Sequence, residues 1–193
     1  MRIVGVNGSG RPNGNTAALV RAVLDAASER GAETDLLQLG ALRVAGCNSC
    51  EACKATRACV IADDMQRFYD LAPEADVLVL GTPIYLDHVT AQTKAFLDRL
   101  YCYLGPDLEN CYPRKDARVV LGITYGAAGE DTYSYVTEWM AERFRFYFGL
   151  ETASVFTVHS TSLDAVVGPE SPVMRKARAF GRTLAQVGAK THP

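Results

Sequence analysis

Short apolar runs alternate with helical stripes along almost the whole chain, and few folds accommodate that order. Arg2–Asn7 carries Ile3, Val4 and Val6 and ends in Gly8-Ser9-Gly10, the pattern of a short buried strand. Asn15 is placed to cap a helix whose apolar residues, Ala17, Ala18, Leu19, Val20, Val23, Leu24 and Ala27, recur at helical spacing to Arg30, with Gly31 as its stop. Glu33–Leu39 alternates as a second strand. Asp63 or Asp64 is placed to cap a helix to Leu71, and Asp76–Leu80 follows with an unbroken Val77-Leu78-Val79-Leu80. Such a run suits a central strand with both faces covered. Gly81–Thr90 reads as a connection, Ala91–Tyr103 as a helix, Leu104–Asp116 as irregular, Ala117–Thr124 as a strand and Thr132–Phe148 as an aromatic-rich helix. Thr152–Val158 and Pro172–Val187 read as the last strand and helix. Strands alternating with helical segments predict an α/β fold, a parallel sheet covered on both faces.

Composition narrows the function classes. The 193 residues are 48% hydrophobic and 22% charged, which suits a single globular domain spanning 1–193. The net charge of −2 gives no basic excess for gripping nucleic acid. No apolar run reaches the ~18 residues of a membrane span, and the start of the chain turns polar too soon for a secretory signal. The cytoplasm is therefore the expected compartment, and the 6 cysteines are expected to be ligands or catalysts rather than disulfides.

Two segments carry chemistry. After the first strand, Gly8-Ser9-Gly10-Arg11-Pro12-Asn13-Gly14-Asn15-Thr16 leads into a helix. Glycines turn backbone amides inward, the helix start offers free N–H groups, and Ser9, Asn15 and Thr16 add side-chain donors for one phosphate. The loop lacks the Gly-Lys-Ser/Thr of a nucleoside-triphosphate site. It also misses the dinucleotide fingerprint, since Asn13 stands where the third glycine belongs. A tight strand-to-helix turn is the structural alternative.

The second segment is Cys47-x-x-Cys50-x-x-Cys53 with Cys59 close behind. Thiolates at this spacing can surround an iron-sulfur cubane, with zinc as the competing metal and thiol redox chemistry a further option. The order differs from a bacterial ferredoxin, because Val60 rather than Pro follows Cys59 and no second cysteine set exists. Lys54 and Arg57 would offset cluster charge or be ordinary solvated side chains. Cys102 and Cys111 stand apart at unrelated spacing.

The phosphate loop, Thr82-Pro83-Ile84-Tyr85 and Lys94-Ala95-Phe96-Leu97-Asp98-Arg99 together resemble the NADPH-dependent FMN reductases of the flavodoxin-like superfamily. The Cys47, Cys50, Cys53, Cys59 set resembles its iron-sulfur flavoprotein branch. The resemblance implies a three-layer sandwich with a five-stranded parallel sheet in the order 2-1-3-4-5, and a cluster loop, residues 40–62, inserted after the second strand. It implies FMN at the carboxyl edge, with Ser9, Arg11, Asn15 and Thr16 around the phosphate. Pro83, Ile84, Tyr85 and Leu86 would run along the ring system, extended by Asp87 and His88. Thr124, Tyr125, Gly126 and the turn through Gly129 would close the other side. It also implies homodimers or homotetramers.

The resulting expectation is an electron-transfer oxidoreductase coupling a 4Fe-4S cluster to FMN, with reduced ferredoxin or a similar redox donor. An NAD(P)H-dependent FMN-containing reductase of quinones or other small acceptors, and a zinc-stabilised binding protein without enzymatic activity, are the alternatives. Lys94, Asp98 and Arg99 read equally well as salt bridges on a helix surface, and His88 and His159 as structural or solvated. His192 has no expected role.

Overall fold

The computed structural model describes residues 1–110, 112–162 and 165–188, with the backbone alone for 186–188. Cys111 and His192 lie outside the described residues. The elements are β1 (Arg2–Asn7), α1 (Asn15–Ser28), β2 (Glu33–Gln38), α2 (Ala52–Thr56), α3 (Gln66–Leu71), β3 (Val77–Tyr85) and β4 (His88–Val89), then α4 (Ala91–Arg99), β5 (Arg118–Thr124), α5 (Ser134–Phe148), β6 (Glu151–Val158) and α6 (Pro172–Gly188). The parallel strands lie in the order β2-β1-β3-β5-β6, which is the flavodoxin-like order.

The sheet has 6 strands rather than the expected five, because β4 forms a short antiparallel hairpin on β3. The pairs Ile84↔Val89 and Tyr85↔His88 make it. The expected connection from Gly81 is thus partly strand. Pairing with β1 stops at Gly81, while Thr82 and Pro83 still pair with Ile123 and Thr124 of β5. Proline is tolerated here because the neighbouring strand on one side has already ended.

Apolar side chains fill both faces of the sheet. On one face Val4, Leu78 and Leu121 pack with Phe68, Phe96, Met140 and Phe144 from α3, α4 and α5. On the other, Ile3, Val79 and Val120 pack with Leu19, Val20 and Val23 of α1 and Met174, Ala177 and Leu184 of α6.

Several boundaries move for local reasons. α1 is capped by Gly14 rather than Asn15; Asn15 is its first residue, and its Oδ1 accepts from the Val167 amide at 2.6 Å. α1 stops at Ser28, just before Gly31 with its φ of +87°. The helix expected over Ala91–Tyr103 is α-helical only to Arg99, then tightens into a 3-10 turn over Leu100–Tyr103. Side chains reach carbonyls of this stretch: Tyr69 Oη donates to Arg99 O at 2.8 Å, and Lys54 Nζ donates at 3.1 Å to Tyr101 O, which also accepts the Leu104 amide. Within the cysteine segment, expected as loop and short turns, Ala52–Thr56 forms one short helix.

α1 and α6 approach closely at Gly181, where an added Cβ would stand 2.3 Å from the Val23 carbonyl oxygen. That atom is helix backbone and yields only by separating the two helices. Gly181→Ala is expected to destabilise the fold by about 1–3 kcal/mol through overpacking, despite alanine's better helix propensity. A urea unfolding midpoint at or above wild type would contradict this contact.

Candidate functional site

Polar side chains collect where the strands end. Asn7, fully buried, accepts the Ser9 amide on Oδ1 at 3.1 Å and donates from Nδ2 to Gln38 Oε1. Gln38 Nε2 in turn donates to the Ser9 carbonyl at 2.6 Å, and Ser9 Oγ accepts from the Arg11 amide at 3.0 Å. Gly8 donates its amide to Gly81 O at 2.7 Å, and its carbonyl accepts from Thr90 Oγ1 at 2.7 Å. A side chain at Gly8 has no room, since a Cβ would lie 1.9 Å from Thr93 Oγ1.

This loop opens into a cleft of about 210 Å³. Its lining brings together Ser9, Arg11, Asn15 and Thr16 from the first loop and helix. Pro83, Ile84 and Tyr85 come from the end of β3, and Thr124, Tyr125 and Gly126 from the end of β5. Thr16 and Thr124 are joined by a buried hydroxyl contact of 2.7 Å. Gly14, Thr161 and Ser162 complete the lining. Thr161 and Ser162 were not anticipated from the sequence; only their place after the last parallel strand pointed to them. The Thr161 amide donates to Tyr125 O at 3.1 Å, which draws that loop to the cleft.

Four expected residues, Leu86, Asp87, His88 and Gly129, lie outside the lining. Leu86 projects fully into solvent at the hairpin tip, and both it and Asp87 have positive φ, +45° and +64°. Asp87 is held from α5 and the turn before it: Tyr133 Oη donates to its Oδ1 at 2.8 Å and Tyr135 Oη to its carbonyl. Gly129 accepts from Tyr125 Oη at 2.9 Å. His88 stacks edge-on against Trp139 with ring centroids 4.8 Å apart.

Among the described residues the lining contains no carboxylate, and Arg11 is its one charged side chain. Hydroxyl and amide groups meet the start of a 14-residue helix at one end, while proline, isoleucine and tyrosine side chains form a wall. That division fits a phosphorylated, ring-bearing ligand such as FMN. A larger cavity of about 620 Å³ lies between β6 and α6, on the sheet's edge strand, and mixes Glu130 with His159 and Lys176.

The four clustered cysteines line a separate small cavity together with Cys102, a fifth thiol that spacing had set apart. Cys47 and Cys50 are exposed, Cys53 and Cys59 half-buried, and Cys102 buried. Burial pushes the Cys53 thiol up and the Cys102 thiol up to about 11. Among the described residues no three His, Cys, Asp or Glu side chains stand close enough to hold a metal ion. The donor chemistry nevertheless fits a thiophilic centre, with four thiols on one cavity and the Ser49 amide 3.4 Å from Cys47 Sγ. Left-handed Ser49, Glu51 and Arg57 curl the segment.

The neighbouring cations also tie the segment to the rest of the chain. Lys54 Nζ donates to Leu104 O at 2.7 Å as well as to Tyr101 O, and lies 3.4 Å from the centre of the Tyr101 ring. Arg57 meets Glu109 at 3.4 Å. Lys94 and Asp98 form the expected surface pair at 2.6 Å, but Arg99 turns inward, its side chain 0% exposed. Its Nη1 donates to Asp63 Oδ2 at 2.7 Å and Ala45 O at 3.0 Å; its Nη2 donates to Asp63 Oδ1 at 3.1 Å and Ile61 O at 3.3 Å. Burial alone would raise the Asp63 carboxyl, but Arg99 and the amides of Ala45 and Met65 outweigh it and hold the group below its ordinary value.

A parallel sheet in this order, with a glycine-rich loop and an apolar wall at its carboxyl edge, is the arrangement of the flavodoxin-like class. Residues 1–146 match the model of the NADPH-dependent FMN reductases, and the chain belongs to that family of FMN-dependent oxidoreductases, in its iron-sulfur flavoprotein branch. It is 33% identical over 142 residues to an iron-sulfur flavoprotein of Methanosarcina thermophila, covering 72% of this chain and 73% of that one. It is 40% identical over 99 residues to one of Methanocaldococcus jannaschii, covering 51% of each. The chain spans about half the length of most of the curated relatives it matches. The solved NAD(P)H:quinone oxidoreductase of Methanothermobacter marburgensis shares the fold, with a TM-score of 0.67 over 95% of this chain and 98% of that one at 16% identity. Among the described residues no helix is long and apolar enough to cross a membrane.

Because the folded Asp63 carboxyl ionises more readily than in the unfolded chain, its contribution is present at neutral pH and is lost as pH falls through its depressed value. Asp63→Asn is therefore expected to lower stability at pH 7 and to shrink the acid-induced loss. An acid unfolding curve with an unchanged drop would contradict the assignment.

Proposed function

We propose that this protein is an electron-transfer flavoprotein that holds FMN in the carboxyl-edge cleft and a 4Fe-4S cluster on Cys47, Cys50, Cys53 and Cys59, with reduced ferredoxin or a similar protein as donor. The observation that carries the reading is the presence, on one fold, of a cleft lined by hydroxyls, a carboxamide and one arginine at a helix start, and of a separate cavity lined by four closely spaced thiols of one loop. The names of the curated relatives support it. When bound, FMN exchanges electrons in pairs or singly and the cluster exchanges them one at a time, so together they link the two kinds of donor and acceptor.

The chain's own residues bind and orient. Ser9, Arg11, Asn15 and Thr16 receive the phosphate. Pro83, Ile84 and Tyr85 face the ring system from one side and Thr124, Tyr125 and Gly126 from another, with Leu86, Asp87 and Gly129 setting the position of those walls. The reading assigns no catalytic side-chain acid or base. Leu86, Tyr135 and Phe146 leave apolar surface exposed, which supports assembly as a homodimer or homotetramer.

A second reading, an NAD(P)H-driven reductase of quinones or other small acceptors, is favoured by the family model. It is separated from the first by turnover with NAD(P)H in the absence of ferredoxin.

Protein purified without oxygen is expected to carry one FMN and about four iron and four sulfide per chain, the content of one 4Fe-4S cluster. Cys50→Ala is expected to lose the intact cluster and keep FMN; an unchanged iron and sulfide content would remove Cys50 from the ligand set. Zinc without flavin would instead favour a zinc-stabilised binding protein. Ser9→Ala is expected to weaken FMN binding about ten- to hundredfold, the range for a hydrogen bond to a charged group. An unchanged affinity in a direct titration would take Ser9 out of the phosphate site.

A further inference from the structure

We propose that Arg99 and Asp63 are positioning residues that close the cysteine loop before its metal centre is built. The inference rests on the reading that these cysteines hold a metal, but not on which metal.

The two ends of the cysteine segment lie side by side as a stem. The Arg43 amide donates to Asp64 Oδ2 at 2.8 Å, and the Asp64 amide donates back to Arg43 O at 3.1 Å. One step inward, the Ala45 amide donates to Asp63 Oδ2 at 2.8 Å. Arg99 then bridges the stem from beneath, through the Ala45 carbonyl on one arm, the Ile61 carbonyl on the other, and the Asp63 carboxylate between them. Gln66 Nε2 adds a second donor to Ile61 O at 3.2 Å. All four cysteines fall between the two arms.

The pair's bonding partners explain its placement. A buried ion pair adds little net stability over apolar side chains of similar size. This pair supplies geometry instead. The main-chain acceptors of the guanidinium belong to the loop ends, and the planar fork of arginine fixes the angle between them. Arg99 is itself held by its helix, because Phe96 and Leu100 are fully buried on the same face. The next turn adds a second anchor: Lys54 donates to Tyr101 O and Leu104 O, and Tyr101 Oη donates to Glu51 at 3.1 Å. The loop is thus tied at its ends and at its middle to one continuous stretch of chain. With the ends fixed, the search of the thiols for a shared centre covers far fewer conformations.

The test uses the full-length chain as Arg99→Met, which fills the space without donors, and Arg99→Lys, which keeps the charge without the fork. Each is stripped of metal, reconstituted anaerobically with ferrous iron and sulfide, and assayed for iron, sulfide and FMN per chain. Both variants are expected to bind FMN as wild type does and to lose most of the iron and sulfide, with lysine giving no rescue. In metal-free wild type the stem amides of Arg43, Ala45 and Asp64 are expected to resist hydrogen exchange, and in the variants to lose that protection.

A variant that loads iron and sulfide at the wild-type rate overturns the proposal. If both variants lose FMN as well, the metal-free wild type decides: stem amides exchanging like unstructured chain overturn the proposal, and protected ones support it. A wild-type chain that takes up zinc in place of iron overturns the iron reading alone. The same variants, scored by zinc retained, then decide for or against Arg99.

Discussion

The seating of α1 on the sheet is the contact from which the cleft follows. Three strands present glycine beneath this helix. An added Cβ at Gly5 would stand 2.5 Å from Leu24 Cδ1, at Gly81 2.5 Å from Val20 Cγ2, and at Gly122 2.9 Å from Leu19 Cδ2. The helix therefore lies lower on the sheet than larger residues would allow, and its side chains fill the space. β1, β3 and β5 are paired on both edges, so their polar backbone is satisfied within the sheet and the irregular polar chain gathers beyond the strand ends. Seating α1 low brings its first turn into that region, beside the ends of β3 and β5. The Thr16–Thr124 contact joins helix to sheet there.

The same carboxyl edge supports the cysteine segment. Leaving β2, the chain passes so close to the first loop that a Cβ at Gly40 would lie 2.7 Å from Gly10 Cα. Gln38, the last residue of β2, already holds the Ser9 carbonyl. The segment then runs to its stem and over the end of α4, whose start is joined to the first loop by the Thr90–Gly8 hydrogen bond. The first loop and the cysteine segment are thus braced by the same two elements, β2 and α4. A shift of α4 would be felt at both, because Thr90 sits at its first turn and Arg99 at its last.

The sequence revealed what burial makes periodic. Val77–Leu80 and the Leu19-Val20-Val23-Leu24 stripe are covered on predictable faces, so their element types were readable, as were the glycine-rich loop and the cysteine spacing; the strand order came from the family resemblance those motifs carry. What escaped depended on contacts distant in sequence. Pro83 resembles a breaker, and only the early end of β1 lets strand continue through it. Leu86 and Asp87 take positive φ without glycine, supported by tyrosines nearly fifty residues away. Asn15 fits a helix cap until the loop around Val167 claims its carboxamide oxygen. Arg99 resembled a surface charge beside Lys94 and Asp98. A signal was present: Phe96, Arg99 and Leu100 share a helical face, and an arginine on a face that buries phenylalanine needs a buried partner.

The disposition of cations also limits how charge on the thiols is balanced. Lys54 and Arg57 lie within the cysteine segment, and proximity in sequence suggests that they neutralise it. Lys54 donates to the Tyr101 and Leu104 carbonyls, and because these are neutral it keeps its charge and draws the Cys53 thiol down against the burial that raises it, while Arg57 meets a carboxylate and Arg99 is matched by Asp63. The lysine and the two arginines also hold chain to chain. Donors at the thiol sulfurs include the Ser49 amide at Cys47 and the Tyr69 hydroxyl at Cys102, and the left-handed turn at Ser49 is part of what shapes the first contact. Backbone amides carry partial charges that stay in place as long as the loop does, so charge balance at the thiols is coupled to loop shape. The stem at Arg99 therefore bears on the electrostatics of the cysteines as directly as on their spacing.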